Sequence, residues 1–302
     1  MNARRQFLGA SLQLAAAASM GAFARSAHAN GIHTTQLAAD MWLLDGAACN
    51  VVALRGPQGS LLIDGGDARN SKALLKAVAQ ATRNGKVSTL INTHWHPAQT
   101  GSNETIGRDG GLIIAHEVTR LYLGRPVSSI DYEGLYGPLA PAGRPAKTTR
   151  TTDSIDFAGH HVAYGYLPAA HTNGDLYIHF PDANLLVAGG PVQSRSWPLL
   201  DYRNGAWLGG LVKAQEKLAA LVKPDTRVVP ANGPLLTGAD ITRQHAMFAA
   251  FHEQMALFQN KGFDSGDCIA ARPLRGFEAQ YGDASAFIRG AFYSLNLAYS
   301  PD

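Results

Sequence analysis

Short apolar runs alternate with helically spaced apolar positions along most of the chain. Leu74, Leu75, Val78 and Ala81 recur at helical spacing and predict a helix over Ser71–Thr82. Similar spacing predicts helices over 206–222, 239–260 and 284–297. Short apolar runs bounded by turn residues predict strands at 41–44, 51–54, 61–63, 89–91, 112–115, 154–157, 162–166, 176–180, 185–187 and 227–229. Strands in two batches, each followed by helices, predict an α/β sandwich with helices on both outer faces.

The size and composition of the chain are those of a folded globular protein. It has 302 residues, of which 46% are hydrophobic and 16% charged, so it can bury enough apolar surface to offset chain entropy. A Pro/Gly-rich stretch over 134–147 interrupts the alternating pattern, and we interpret it as a surface loop rather than a domain linker. We therefore predict a single domain over residues 30–302.

Residues 1–29 have the composition of an export signal. They contain no acidic residue, and the pair Arg4-Arg5 precedes an Ala-rich apolar run that ends in Ala27-His28-Ala29. This order is typical of a secretory signal, and the arginine pair resembles a twin-arginine export signal. The alternative is an N-terminal helix packed on the domain. We predict cleavage after Ala29 and a periplasmic or otherwise exported location.

The net charge gives no indication of a macromolecular partner. The formal charge of the whole chain is +3, but Arg4, Arg5 and Arg25 lie in the predicted signal. Removing these three of the 26 basic residues leaves 23, which balance the 23 acidic residues. We therefore expect a small-molecule substrate or ligand, no nucleic acid and no stable membrane insertion, while the oligomeric state stays open. Two cysteines, Cys49 and Cys268, are too few for a disulfide framework, and whether they pair also stays open.

One pair of histidines stands directly after a predicted strand. Residues i and i+2 of an extended segment share a face, so His94 and His96 can direct both imidazoles to one point. The pair alone is weak evidence, because a chain of this length with 11 histidines contains roughly 0.4 such pairs by chance.

The sequence around these histidines supplies more specific evidence. Residues 93–103, Thr-His-Trp-His-Pro-Ala-Gln-Thr-Gly-Ser-Asn, resemble the T-H-x-H-x-D-H-x-G-x-N signature of the metallo-β-lactamase superfamily. The resemblance extends over roughly 41–246 and includes the segments 61–66, 170–175, 186–190 and 229–234. It implies a four-layer αββα sandwich, the metallo-β-lactamase fold.

The resemblance also implies where metal would bind. Members of this family usually build two adjacent metal sites, and His94, His96 and His171 stand at the three positions of the first site. The positions of the second site carry Ala98, Gln99, Gly190 and Asn232, none of which is a good zinc ligand. We therefore expect one zinc ion per chain and a degenerate second site.

Three histidines with an open fourth position form a catalytic zinc arrangement that lowers the pKa of bound water to about 7. The resemblance thus implies a zinc-dependent hydrolase acting on an ester, lactone or amide. We expect Asp64 to orient a ligand imidazole, and a cleft formed by Gln99, Asn232, Trp95, Trp197 and Tyr202 to bind the substrate. Two alternatives remain open: a non-catalytic zinc- or ligand-binding protein of the same fold, and an empty site in which the histidines merely pack.

Overall fold

Two β-sheets form the centre of the molecule in a computed structural model that describes residues 25–27, 31–130 and 132–299. Elements are numbered in chain order. The first sheet contains, in spatial order, β1 (Arg25–Ala27), β2 (His33–Ala38), β3 (Met41–Asp45), β4 (Val51–Gly56), β5 (Gly59–Ile63), β6 (Val87–Ile91), β7 (Leu112–His116) and β10 (Lys147–Thr149). Successive strands from β1 to β5 pair antiparallel, whereas β5, β6, β7 and β10 are parallel to one another.

The second sheet follows later in the chain. It contains β11 (Thr152–Phe157), β12 (His160–Tyr166), β13 (Leu176–Phe180), β14 (Leu185–Gly189), β15 (Arg227–Pro230) and β16 (Leu236–Thr237), of which only β14 and β15 are parallel to each other. A separate antiparallel pair consists of β8 (Val127–Ser129) and β9 (Tyr132–Tyr136).

The helices cover the outer faces of the two sheets and the loops at their ends. They are α1 (Ser71–Thr82), α2 (Pro97–Thr100), α3 (Asn103–Arg108), α4 (Glu117–Leu123), α5 (Leu208–Leu221), α6 (Gly238–Asn260), α7 (Ser265–Ala270), α8 (Glu278–Tyr281) and α9 (Ser285–Tyr299). Three short 3-10 helices lie at Pro141–Gly143, Tyr202–Asn204 and Arg275–Phe277. Among the described residues, no helix combines the length and the apolar character needed to cross a bilayer.

Three apolar clusters separate four layers. Side chains such as Leu61 and Phe180 fill the space between the two sheets. Leu74 and Val78 of α1 cover the outer face of the first sheet. The larger cluster on the outer face of the second sheet draws on α5, α6 and α9. The sequence prediction of a four-layer αββα sandwich is confirmed.

Most predicted elements lie where the sequence pattern placed them, and helix α1 has the predicted bounds. The interpretation of 134–147 as a loop is wrong at its ends, because β9 runs to Tyr136 and Lys147 begins β10. Strand β10 forms by pairing with the distant β7, which the local pattern does not reveal.

The predicted export signal lies almost entirely outside the described residues, which include only 25–27 of it. These three residues pair with β2 at the edge of the first sheet, so cleavage after Ala29 would make β2 the edge strand. Cys49 and Cys268 are both free and buried, and they belong to core clusters on opposite outer faces of the sandwich.

One charged cluster joins the two sheets far from the predicted site. His160, at the start of β12, places Nε2 3.0 Å from Asp40 Oδ2 in the β2–β3 turn. Its Nδ1 pairs with Asp182 in the β13–β14 turn. Burial acts to lower the pKa of His160, but the hydrogen bonds and negative charges of the two carboxylates outweigh it and raise the pKa.

This cluster predicts a pH-dependent contribution to stability. Because the folded-state pKa is raised, the contribution is complete below the unfolded-state pKa of about 6.5 and is lost as pH rises through the folded-state value. We expect His160→Gln to lower the melting temperature by a few degrees at pH 6 and by less at pH 9. The matched control is His161→Gln, whose side chain is 57% exposed. A deficit that is equal at both pH values would contradict this role.

Candidate metal centre

The three histidines predicted from the sequence meet at the carboxyl ends of the strands. His94 and His96 follow β6, and His171 lies in the loop between β12 and β13. All three residues are buried, with exposed fractions of 1%, 4% and 6%. Pro97 begins helix α2 directly after His96, so the turn that carries the His-x-His pair is fixed at its end.

One nitrogen of each ring points toward a common centre. His171 Nε2 lies 3.2 Å from His94 Nε2 and 3.0 Å from His96 Nδ1. Three nitrogens that bind one tetrahedral zinc ion at about 2.0–2.1 Å lie about 3.4 Å from one another. The cluster is therefore close to the geometry of one face of a zinc tetrahedron.

The other nitrogen of each ring has a partner outside the cluster. His171 Nδ1 donates to the carbonyl oxygen of Leu199 at 2.8 Å, and His96 Nε2 donates to Asp201 Oδ2 at 3.1 Å. His94 Nδ1 lies 2.9 Å from Thr93 Oγ1, which itself donates to a carboxylate and so accepts from the ring.

These partners determine which ring nitrogens carry a proton. A neutral imidazole has one N–H, and in each ring the outer hydrogen bond uses it. The three inward nitrogens are consequently lone-pair acceptors that face one another. A single shared proton can join only two of them, whereas a metal cation binds all three.

The electrostatic environment favours the neutral form of His94. Burial, followed by the neighbouring His171 and His96, lowers the pKa of His94 well below its usual value. Burial acts to raise the pKa of Asp201, but hydrogen bonds from His96 and Asn204 bring the pKa below its usual value. Asp201 is therefore an ionised carboxylate behind one ligand, as is common for metal-binding histidines.

Asp64 acts on the cluster through an intermediate residue. The sequence interpretation expected Asp64 to orient a ligand imidazole. Asp64 accepts hydrogen bonds from Thr93 N and Thr93 Oγ1, both at 2.8 Å. Thr93 in turn holds His94. Burial raises the pKa of Asp64 to about 7 although both hydrogen bonds act to lower it, and a cation bound nearby would favour its ionised form.

The loop that carries His171 is held by a second buried carboxylate. Asp175 Oδ2 accepts from His171 N at 2.7 Å and from Thr172 N at 2.9 Å, and Oδ1 accepts from Thr172 Oγ1 at 2.7 Å. On the opposite side, Gln215 of α5 donates to Pro191 O at 2.9 Å and so holds the loop after β14. The backbone around the cluster is thus fixed by buried side chains from several elements.

The residues at the ligand positions of the predicted degenerate second site lie around the same centre. Ala98, Gln99 and Asn232 line the cleft next to the histidines. Gly190 lies against His171 so closely that an added Cβ would come within 2.1 Å of His171 Cδ2 and 2.4 Å of Cγ. The His171 ring therefore occupies the space that a side chain at position 190 would need.

The cleft above the histidines has a volume of about 340 Å³, and Trp197 lines it as expected. Trp95 and Tyr202 are not among the described residues that line it, which corrects the expectation for both. Trp95 is fully buried behind the cluster in contact with Tyr122, and Tyr202 packs against Tyr293. The corrections leave Gln99, Asn232 and Trp197 of the five predicted cleft residues.

The sequence interpretation did not identify Asp201 or Asp67. Asp201 stands 105 positions from His96 in a loop without a motif, so no local signal identifies it. Asp67 is the one carboxylate among the described cleft residues, and it is bound by Asn70 N at 2.9 Å and Asn70 Nδ2 at 2.8 Å. The sequence feature that could have drawn attention to Asp67 is its position three residues after Asp64.

Comparisons with known proteins agree with this fold. The family model of the metallo-beta-lactamase superfamily matches residues 44–233. A metallo-beta-lactamase from Pontibacter korlensis superposes with a TM-score of 0.58 at 18% identity, covering 72% of this chain and 99% of that chain. The sec-alkylsulfatase Pisa1 from Pseudomonas sp. superposes with a TM-score of 0.65 at 15% identity, covering 89% of this chain and 52% of that chain.

A curated relative is similar over a shorter length. A hydroxyacylglutathione hydrolase from Erythrobacter litoralis (strain HTCC2594) is 33% identical over 129 residues, which are 42% of this chain and 41% of that protein. The fold and the three-histidine cluster define an α/β sandwich protein with a potential metal site. By its sequence match, the chain belongs to the metallo-beta-lactamase superfamily.

The Asp201–His96 pair predicts a measurable effect on metal affinity. Asp201→Asn keeps the shape of the side chain but removes the negative charge behind the ligand, so we expect zinc affinity to fall about 10–100-fold. Titration against a chelating indicator measures this change. Asp156→Asn is the control, because the Asp156 side chain is 89% exposed on β11. Unchanged affinity in the Asp201 variant would show that the pair does not support the ligand.

The contact between Gly190 and His171 predicts a second effect. Gly190→Ala should displace the His171 ring and weaken zinc binding about a hundredfold or more, since one of three ligands moves out of place. Gly85→Ala is the matched control, because an added Cβ there meets no atom within 4 Å. Elemental analysis after dialysis against a weak chelator compares the two. Full zinc content in Gly190→Ala would refute the steric interpretation.

Proposed function

We propose that this protein is an exported hydrolase with a single zinc ion, acting on an ester, thioester, lactone or amide. The observation that carries the proposal is the set of three inward lone pairs of His94, His96 and His171, whose nitrogens lie 3.0–3.2 Å apart around His171 Nε2. Neutral imidazoles are the ligands that zinc commonly takes in catalytic sites with an open position. The donor set therefore fits zinc.

The proposal of one metal rather than two has both chemical and steric support. Ala98 and Gly190 carry no donor atom in the side chain, and neutral amides such as Gln99 and Asn232 are poor zinc ligands. An aspartate at position 190 would also displace His171. The second site is thus missing its ligands and, at position 190, part of its space.

A bound zinc ion would polarise a substrate carbonyl and lower the pKa of a water molecule. The residues of the chain supply the rest of the chemistry. Gln99 and Asn232 lie where their amides can hydrogen-bond to a substrate, and Trp197 presents an aromatic wall. Asp67 offers a carboxylate in the cleft that can accept a proton during hydrolysis.

The shape of the surrounding surface supports a substrate with an extended apolar part. A second cavity of about 880 Å³ shares Ala48 and Asn232 with the cleft. Its wall includes Leu43, Pro234 and Leu235. A substrate whose reactive carbonyl lies at the histidines can place an apolar arm there. The name of the hydroxyacylglutathione hydrolase relative adds thioesters to the classes worth testing.

The proposal predicts metal content and turnover together. Protein exported by a bacterial host should have the mass of a chain beginning at Asn30 and should bind about one zinc ion. Zinc-loaded protein is assayed on thioester, lactone, ester and amide panels, including β-lactams. We expect one class to be hydrolysed, and both zinc and activity to be lost in His94→Ala but kept in His161→Ala.

Each part of the proposal has its own contradicting result. Two zinc ions per chain would refute the single site. A retained N-terminal segment in the exported protein would refute cleavage after Ala29. If the protein binds zinc but hydrolyses none of the substrates, and a ligand raises its melting temperature, the hydrolase proposal is wrong. The protein would then be a binding protein of the same fold.

A further inference from the structure

A third cavity, with a different chemical character, lies beside helix α4. Its volume is about 740 Å³, and none of its lining residues also lines the metal cleft. The wall combines α4 and the residues just after it with the segment 141–148. Three arginines, Arg120, Arg125 and Arg144, are among its lining residues.

The positive charge of these arginines is not neutralised within the described part of the chain. None of the three has a carboxylate within ion-pair distance there. Glu117 also lines the cavity, but its carboxylate is bound by both Nε and Nη2 of Arg150, the latter at 2.9 Å. Arg150, outside the lining, therefore balances Glu117. Among the described residues, the cavity keeps the charge of three guanidinium groups.

Two of these guanidinium groups are held in place. Arg144 Nε donates to Leu139 O at 2.8 Å, which leaves both Nη groups available as donors. The guanidinium carbon of Arg125 lies 5.0 Å from the centroid of the Tyr122 ring, a cation-π arrangement. Fixed guanidinium groups lose less conformational entropy on binding an anion than free ones do.

The cavity also has apolar walls. Leu121, with an exposed fraction of 56%, lines it together with Val118, Pro141 and Pro145. An inorganic ion gains no binding free energy from apolar walls, whereas the apolar part of an organic molecule can pack against them. The combination selects a compact organic molecule that carries two or more acidic groups.

We infer that the cavity formed by Arg120, Arg125 and Arg144 binds small organic dianions or polyanions, with the arginines contacting the acidic groups and Leu121 contacting the apolar body. Carboxylate, sulfonate and phosphate groups each present at least two oxygen atoms that can accept hydrogen bonds from one guanidinium group. This site is independent of the metal cluster and of the proposed hydrolase activity.

The probe for this inference is meta-benzenedisulfonate, which has two fixed anionic groups on an apolar ring and binds zinc poorly. Isothermal titration calorimetry of the full exported chain at low ionic strength should give one saturable site. Arg144→Gln and Arg125→Gln should each weaken it about tenfold, as expected for the loss of one charge-assisted hydrogen bond or contact. Raising the salt concentration to about 0.15 M should also weaken it.

Two controls separate this site from other effects. Arg108→Gln removes an exposed arginine that pairs with Glu104 outside the cavity, and it should leave the affinity unchanged. His94→Ala should also bind the probe as the wild type does, whatever the outcome of the hydrolase assays. Absence of saturable binding, equal weakening by Arg108→Gln, or loss of binding in His94→Ala would each overturn the inference.

If the cavity arginines serve only to stabilise the end of α4, their replacement will lower the melting temperature without changing the affinity for the probe. That result would also overturn the inference, because it assigns the charges to the helix rather than to a ligand. A probe affinity that falls in Arg125→Gln and Arg144→Gln while their melting temperatures stay within a few degrees of the wild type supports it.

Discussion

Three buried imidazoles that direct lone pairs at one another impose the main constraint on this structure. Such an arrangement is unfavourable without a cation, and it is maintained by partners that fix each ring from behind. Thr93 and Asp64 hold His94, Asp201 holds His96, and Leu199 O holds His171. Strands β5 and β6 end directly before the segments that carry Asp64 and His94, and β14 and β15 end just before Gly190 and Asn232.

The same constraint explains the chemistry of the surrounding positions. With His171 pressed against Gly190, the backbone there takes the space of a side chain, and only glycine fits without moving the ring. Ala98, Gln99 and Asn232 place neutral side chains along the cleft beside the histidines. These neutral side chains and the contact at Gly190 are the basis of our proposal that the site holds one metal ion.

The sequence predicted ten of the strands, the four longest helices and the three-histidine cluster, because each of these depends on local periodicity or on a recognisable motif. Trp95 shows the limit of the same reasoning. The alternation that places His94 and His96 on one face places Trp95 on the other, and it lies in the core against Tyr122. Asp201 was missed because its partnership with His96 arises only from tertiary structure, as does the pairing of β10 with β7.

X-ray absorption spectroscopy at the zinc edge of the metal-loaded protein tests the single three-histidine site most directly. We predict a first shell of three imidazole nitrogens and one oxygen ligand at about 2.0–2.1 Å, with no metal–metal scattering. A metal–metal distance of about 3.5–4 Å would contradict the single site. A shell with fewer than three imidazoles would contradict the assignment of His94, His96 and His171 as its ligands.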